Sequence, residues 1–480
     1  MLIKIYGFLS KKPIYYLFAL IFIFLFIRLY NISNSLEFFG DIGRDHLTLY
    51  EWWITGKIPL LGPGVSYFSL HLPPIYYYIN FPIFLISRLS PYTTLITLLL
   101  IFIGVYIVAI LTFKKREYLI AVFVAALLII FHPQYILQTR LPWSPTFAAP
   151  FIGVAVFELL LLREKYSVNK FIIFSVSLAG AAGLSVETIP TVFAMIISAL
   201  WILLHRIKNI CIFFASVLLI FWPLIIFELR HQFFFISRLI ANPITQPFET
   251  DLFEKFPYLL SFLFGVNEWN GLSMTIIIII FLIIFTYIII NWKQKKIIKN
   301  NKVLFLFVLF SLSLLLTYIL PFPAREHDIF GISVLFFITI AFFPLRLSFV
   351  ISGLLLVLWL NPTIFNSYFK QGHRTISEME NCATNVCSFE HDPMYISVTA
   401  WYIYHKTPEY QFVFMKNGCQ VNDITYMPNW TNKMLVIADS ETYEHGKTAY
   451  NELTLFGKSI VEKKYDCEDN LKGYVLKKVN

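Results

Sequence analysis

Long apolar runs separated by short polar segments occupy the chain from residue 14 to residue 360. Most of the runs have 17 to 21 residues, enough for a helix to cross a bilayer core of about 30 Å. Lipid offers no partners to backbone N–H and C=O groups, so a helix that satisfies them internally is favoured. The alternating pattern of a membrane barrel is absent. We predict an all-α polytopic membrane protein with about 11 transmembrane helices, at 14–30, 92–112, 118–138, 146–162, 171–187, 188–204, 210–228, 273–291, 303–320, 330–345 and 347–360.

One further apolar segment, residues 71–87, is predicted to be a re-entrant or juxtamembrane element. It is short and carries three prolines and Asn80. A full crossing would place the basic segment 113–117 outside and invert every later loop. Irregular backbone at membrane depth is tolerated where protein or water covers it. A true crossing that is compensated elsewhere is the alternative.

The positions of the basic residues predict the orientation. Only 14% of the residues are charged, against about 25% in average globular chains. The net charge of +9 comes mainly from short loops between apolar runs, which indicates membrane orientation rather than a nucleic-acid partner. The first run lacks a small-residue cleavage site, so we predict a retained signal anchor. The predicted cytoplasmic segments are Lys11-Lys12, 113–117, 163–170, 205–209 and 292–302.

This orientation predicts a multi-pass protein of the plasma (inner) membrane with a cytoplasmic N-terminus. The other face then carries the longer polar segments and the C-terminal tail. These predicted outer segments are 31–70, 138–146, 230–272, 321–328 and the tail from residue 361.

The tail is predicted to be a separate extracytoplasmic α/β domain, which divides the chain into domains 1–360 and 361–480. Its hydropathy falls and charged residues appear. We expect a helix over 394–406, and strands over 411–415, 433–439 and 473–479.

Four of the five cysteines lie in this tail: Cys382, Cys387, Cys419 and Cys467. An even number of cysteines outside the membrane predicts two disulfides, for which three connectivities exist. We favour Cys382–Cys387 with Cys419–Cys467.

The first outer loop has more polar chemistry than solvation requires. Its sequence from Glu37 to Gly64 is "EFFGDIGRDHLTLYEWWITGKIPLLGPG". A purely structural interpretation is a solvated amphipathic helix, with Asp41 as N-cap and with Arg44 and Asp45 in local ion pairs.

The order of motifs in this loop resembles that of the C-type, polyprenyl-phosphate-sugar-dependent glycosyltransferases. This superfamily includes protein O-mannosyltransferases and lipid A aminoarabinose transferases. Its members carry an Asp after the first span, then an "RYxxxA"-like helix, then "H(K/P)PPL". Asp41 matches the acidic residue, Arg44 the arginine, and His71-Leu72-Pro73-Pro74 the histidine-proline motif. Ile42 replaces the common second acidic residue, which argues against a metal site, and Leu72 stands where some members carry lysine.

The resemblance implies that residues 1–360 form a transmembrane glycosyltransferase-like domain. Such an enzyme transfers a sugar from a polyprenyl-phosphate donor to an extracytoplasmic glycan, lipid or protein, with inversion. A carboxylate takes the proton of the acceptor, and Asp41 is the candidate. Cations stabilise the leaving phosphate. The candidates for this role are Arg44, His71, Arg140, Arg325 and His327.

Asp45 and Glu187 are the candidates for a second acidic residue, although Glu187 can equally be a solvated turn residue. No cofactor or metal is predicted, and a part for a divalent metal is left open. The expected partners are the lipid-linked sugar, membrane lipids and an acceptor of unknown class. The alternative functions are a polysaccharide polymerase or O-antigen ligase, and a transporter or flippase. Transporters usually show internal repeats and charged helices at the membrane midplane, and neither is evident here.

Overall fold

The structure is a computed structural model that describes most of the chain. The described residues are 13–65, 70–113, 115–241, 252–266, 271–293, 302–320, 330–360, 368–370, 372, 375–400, 408–439, 443–448, 450–468 and 471–479. The α-helices follow in chain order as α1 Pro13–Leu29, α2 Ile32–Ser35, α3 Gly40–Thr55, α4 Ile75–Ile86, α5 Thr93–Thr112, α6 Arg116–Phe131, α7 Pro133–Arg140, α8 Ser144–Glu164, α9 Val168–Leu184, α10 Ile189–Leu203, α11 Ile207–Arg230, α12 Phe234–Ala241, α13 Leu252–Leu263, α14 Gly271–Lys293, α15 Lys302–Ile319, α16 Phe330–Ala341, α17 Leu345–Trp359, α18 Ile376–Cys387, α19 Pro408–Lys416 and α20 Asn451–Phe456.

The strands form one short hairpin and one larger sheet. The strands are β1 Gly64–Val65, β2 Leu70–His71, β3 Met394–Ala400, β4 Val421–Asn422, β5 Lys433–Asp439, β6 Ser459–Glu468 and β7 Leu471–Lys478. β1 pairs with β2, and the remaining strands form a five-stranded sheet in the order β4-β3-β5-β7-β6.

The chain divides into two compact units. The first unit comprises Met1–Tyr30, Leu60–Ile79 and Leu95–Tyr368. The second unit comprises Asn31–Pro59, Asn80–Thr94 and Phe369–Asn480. It therefore contains α3, with Asp41, together with the C-terminal sheet. The boundary predicted at residue 360 stays a prediction.

The predicted membrane architecture is confirmed. Among the described residues, 6 helices are long and apolar enough to cross a membrane, or 7 if the bent pair α6–α7 is one span. The remaining predicted spans coincide with shorter apolar helices, namely α1, α9, α16 and α17. The protein is thus a multi-pass, all-α membrane protein with a small C-terminal sheet domain.

The segment predicted to be re-entrant forms the hairpin strand β2 and the helix α4. α4 has 12 residues and contains Pro82. At 1.5 Å per residue it is about 18 Å long, well short of a bilayer core of about 30 Å. α16, at a predicted span, has the same 12 residues, so the length of α4 does not separate the two alternatives, and the re-entrant topology stays a prediction.

Two buried arginines of the first unit stabilise the bend of 71° between α6 and α7. α6 ends at Phe131, which frees the carbonyl groups of its last turn. Arg28 of α1 donates to two of these carbonyls at 2.5 and 3.1 Å. Arg140 at the end of α7 donates from Nη1 to three carbonyls at the end of α1, at 2.9 to 3.2 Å. Arg28 therefore caps the end of α6, and Arg140 caps the end of α1.

Two secondary-structure predictions for the tail are wrong, and two are confirmed. Residues 394–400 form the strand β3 rather than a helix, and residues 411–415 lie in the helix α19 rather than in a strand. β3 pairs in parallel with both β4 and β5, and most of its side chains are buried. A short, fully buried apolar run has no periodicity that distinguishes helix from strand. The strands expected over 433–439 and 473–479 are β5 and β7.

The favoured disulfide pairing is also wrong. The bonds join Cys382 to Cys467 and Cys387 to Cys419. Cys382 and Cys387 both lie on α18. Five residues of helix separate their directions by about 140°, at 100° per residue, so the two side chains cannot meet. The bonds instead tie α18 to β6 and to the segment after α19.

Candidate active site

The candidate base Asp41 lies in the first turn of α3. The N-cap position is occupied by Phe39, whose side chain makes no capping hydrogen bond. The expected N-cap role of Asp41 is therefore wrong, because Gly40 already has helical backbone. The first turn of a helix carries partial positive charge, so a carboxylate is favoured there.

Arg44 forms ion pairs with two carboxylates on the same face of α3. Its Nη1 lies 2.7 Å from Asp41 Oδ1, and its Nη2 lies 3.1 Å from Asp45 Oδ1. Asp41 lies three residues before Arg44 and four before Asp45, which are the spacings that bring side chains together on a helix. The side chain of Asp41 is 24% exposed and that of Asp45 only 1%. Asp41 is thus the more accessible of the two carboxylates.

The backbone of α3 lies directly against α19 of the C-terminal sheet domain. A Cβ atom added at Gly43 would stand 2.3 Å from both Cα and Cβ of Glu409. Glu409 is fully buried. Near the other end of α3, the Tyr50 hydroxyl donates to the carbonyl of Met415 at 3.3 Å. α19 therefore fixes the helix that carries Asp41.

His46 anchors the buried face of α3 as a neutral aromatic ring. It is fully buried, and its ring packs against the rings of Phe38 and Phe412 at centroid distances of 5.3 and 5.2 Å. Nδ1 donates to the carbonyl of Ile42 at 2.8 Å. Burial, with a smaller contribution from the nearby charge of Lys416, lowers the pKa of His46 to about 4. His46 is therefore uncharged at neutral pH and supports α3 by packing.

His71, the histidine of the His-Pro motif, lies in the first unit, on the strand β2. Its Nδ1 donates to the carbonyl of Gly62 at 2.8 Å, and its ring lies 5.4 Å from that of Phe235. A Cβ at Gly62 would stand 2.3 Å from the carbonyl oxygen of Pro73. Glycine is required at this position because the chain crosses itself so closely.

The two other described candidates of the first unit are both buried. Arg140 is 3% exposed, and its Nη1 caps α1 as described above. Glu187 is 8% exposed and accepts a hydrogen bond of 2.5 Å from the Ser185 hydroxyl. The alternative that Glu187 is a solvated turn residue is therefore wrong. Arg325 and His327 lie outside the described residues.

No group of three or more His, Cys, Asp and Glu side chains able to hold a metal occurs in the described part of the chain.

Sequence reasoning missed two residues that shape this region. Arg28 carries a charge near the end of an apolar run, which is a signal for a buried polar role. Gly43 carries no comparable signal, because its partner Glu409 lies in a distant part of the chain.

Solved structures of ArnT share the fold of nearly the whole chain. ArnT from Cupriavidus metallidurans bound to undecaprenyl phosphate superposes with a TM-score of 0.57 at 12% identity, covering 97% of this chain and 98% of that chain. The apo state of the same protein gives a TM-score of 0.60 at 10% identity, with the same coverage. No protein-family model and no curated protein matches the sequence.

At 10 to 12% identity the match concerns the fold and not the individual residues. It nevertheless extends over both compact units, including the C-terminal sheet domain. The chain has the fold of ArnT.

Proposed function

We propose that the protein is a membrane glycosyltransferase that uses a polyprenyl-phosphate sugar as donor. The observation that carries this proposal is the accessible Asp41 paired with Arg44 at 2.7 Å, in a chain that shares the fold of ArnT over 97% of its residues. The ArnT neighbour binds undecaprenyl phosphate, which supports a lipid donor of the same chemistry here.

In the proposed reaction Asp41 acts as the general base. A hydroxyl or amine of the acceptor attacks the anomeric carbon and gives its proton to the Asp41 carboxylate. The bond between the anomeric carbon and the phosphate oxygen breaks in the same displacement. The configuration is inverted, and polyprenyl phosphate leaves with the electron pair of that bond.

The leaving phosphate gains charge as this bond breaks, so cations at this point lower the barrier. We assign Arg44 to the phosphate, because its guanidinium already bridges two carboxylates and can exchange one of them for the phosphate. His71 is the second proposed contact. Arg325 and His327 stay candidates on the sequence pattern alone.

Arg140 and Glu187 stay weaker candidates, because their buried contacts give both of them a structural role. We assign Asp45 to holding Arg44, since its carboxylate is buried beneath it. The proposed location is the plasma (inner) membrane, with the N-terminus in the cytoplasm and with Asp41 and the C-terminal domain on the extracytoplasmic face.

Reconstituted protein tests this proposal. The purified chain in lipid vesicles is given a panel of undecaprenyl-phosphate sugars and an extract of cell-envelope glycans and lipids. The proposal predicts transfer of one labelled sugar with inverted anomeric configuration and release of undecaprenyl phosphate. Transfer that proceeds without a lipid-linked donor, or with retained configuration, would overturn it.

A further inference from the structure

A cavity of about 330 Å³ lies among α5, α6, α8 and α16 of the first unit. Small residues open it, including Gly104 on α5 and Gly153 on α8. Its lining on α5 extends from Ile101 to Thr112, a helical length of about 17 Å. One leaflet of a bilayer core is about 15 Å deep, as half of the ~30 Å core. The cavity therefore has the length of a single lipid hydrocarbon chain.

The cavity is open towards the surroundings of the helix bundle. Val108 lines it and is 61% exposed. Nearly all other lining side chains are apolar, so lipid rather than water is its natural content.

Two polar side chains of the lining each have a buried oxygen that makes no hydrogen bond to the described residues. The Glu158 side chain is 91% buried, and its Oε2 has no hydrogen-bond partner among the residues described. The buried hydroxyl of Tyr106 likewise has none within the described part of the chain. A buried carboxyl oxygen without a hydrogen-bond partner is disfavoured. An occupant with a hydrogen-bond donor and positive charge would remove this penalty.

Glu158 also lies at a suitable depth for a lipid head group. Its neighbour Phe157 contacts Phe113 at the end of the α5 lining, with ring centroids 5.2 Å apart. α8 ends at Glu164, so Glu158 is about 9 Å from the helix end. The apolar part of the cavity extends from Glu158 towards the middle of α5.

We propose that this cavity binds one acyl chain of a phospholipid whose primary ammonium group donates to Glu158. An anionic head group without an ammonium, such as that of a polyprenyl phosphate, is disfavoured by the carboxylate. The proposed ligand is thus a structural phospholipid, chemically different from the donor proposed for Asp41.

Native mass spectrometry of the delipidated full-length protein tests the proposal. Dioleoyl-phosphatidylethanolamine and dioleoyl-phosphatidylglycerol have the same chains but differ in the ammonium group. Wild type should bind the first about tenfold more tightly, the value of one charge-assisted hydrogen bond. In E158Q this preference should disappear while both lipids still bind.

Two glycine substitutions provide a matched pair. A Cβ at Gly104 or at Gly353 meets no atom within 4 Å, but only Gly104 lines the cavity. G104L should fill the cavity and abolish tight binding of either lipid, while G353L should bind as wild type does. Equal affinity for both lipids in wild type, unchanged binding in G104L, or preferential binding of undecaprenyl phosphate at this cavity would each overturn the proposal.

Discussion

Gly43 packs against the backbone of Glu409 so closely that any Cβ at position 43 would stand 2.3 Å from the Glu409 Cα. This contact joins the helix of the proposed base to the C-terminal sheet domain within one compact unit. It explains why a glycine stands between two charged positions of an otherwise regular helix. The C-terminal domain therefore serves, in our account, to hold Asp41 in place.

The substitution G43A should displace α3 and reduce sugar transfer. Overpacking of this kind costs typically about 1–3 kcal/mol, and a displacement of about 1 Å from productive geometry can lower a rate by ~100-fold. Steady-state transfer assays should show a lower kcat and a higher KM for the donor, because α3 carries both Asp41 and Arg44.

The control for G43A is G353A, since a Cβ at Gly353 meets no atom within 4 Å. It should retain wild-type activity. If G43A also retains full activity, α19 does not position the base.

The buried His46 predicts a loss of stability in acid. Its pKa is about 4 in the folded protein and about 6.5 when unfolded. The unfolded state therefore binds the extra proton between these values. The stabilisation is complete above pH 6.5 and falls as the pH decreases towards 4, by about 3 kcal/mol in total.

Thermal unfolding followed between pH 7 and pH 4 should show this loss in wild type. H46F keeps an aromatic ring among Phe38 and Phe412 but cannot be protonated, so its melting temperature should fall less over the same range. If the melting temperatures of the two proteins fall equally between pH 7 and pH 4, protonation of His46 does not cause the loss of stability.

Removal of the guanidinium in R44Q should weaken donor binding. A hydrogen bond to a charged group contributes about 1.5–3 kcal/mol, equivalent to roughly a 10- to 150-fold rise in the KM for the donor. Undecaprenyl phosphate should raise the melting temperature of wild type and fail to do so in R44Q. An unchanged KM for the donor in R44Q would show that Arg44 does not bind the donor phosphate.

The bend between α6 and α7 should depend on Arg28. R28M keeps much of the side-chain volume but leaves the carbonyls of the last turn of α6 without their donors. Unsatisfied buried groups cost about 1–3 kcal/mol each, so the melting temperature should fall by several degrees. R230M, at an exposed arginine at the end of α11, should be neutral, and equal melting temperatures for the two variants would contradict the capping role.

The helical membrane architecture was predictable because each span is a long apolar run with its own internal hydrogen bonding. The presence of a helix after Asp41 followed from the local sequence as well. These features depend on residues that are close in sequence.

Features that depend on distant residues were not predictable. The contact of Gly43 with Glu409 and the pairing of Cys382 with Cys467 arise only when separate segments meet in the fold. The predictions of a helix where β3 forms and of a strand where α19 forms were wrong for a related reason. Both segments are short and mostly buried, so tertiary packing and not periodicity decides their structure.

The central claim is that Asp41 is the base of a lipid-linked sugar transfer. Single-turnover transfer by the reconstituted protein should therefore be compared in wild type, D41N and D466N. The amide cannot accept the proton, so D41N should lose at least about 100-fold in rate while still binding undecaprenyl phosphate. D466N changes an exposed carboxylate of β6 and should transfer at the wild-type rate. A D41N protein that transfers sugar as fast as wild type would contradict the account.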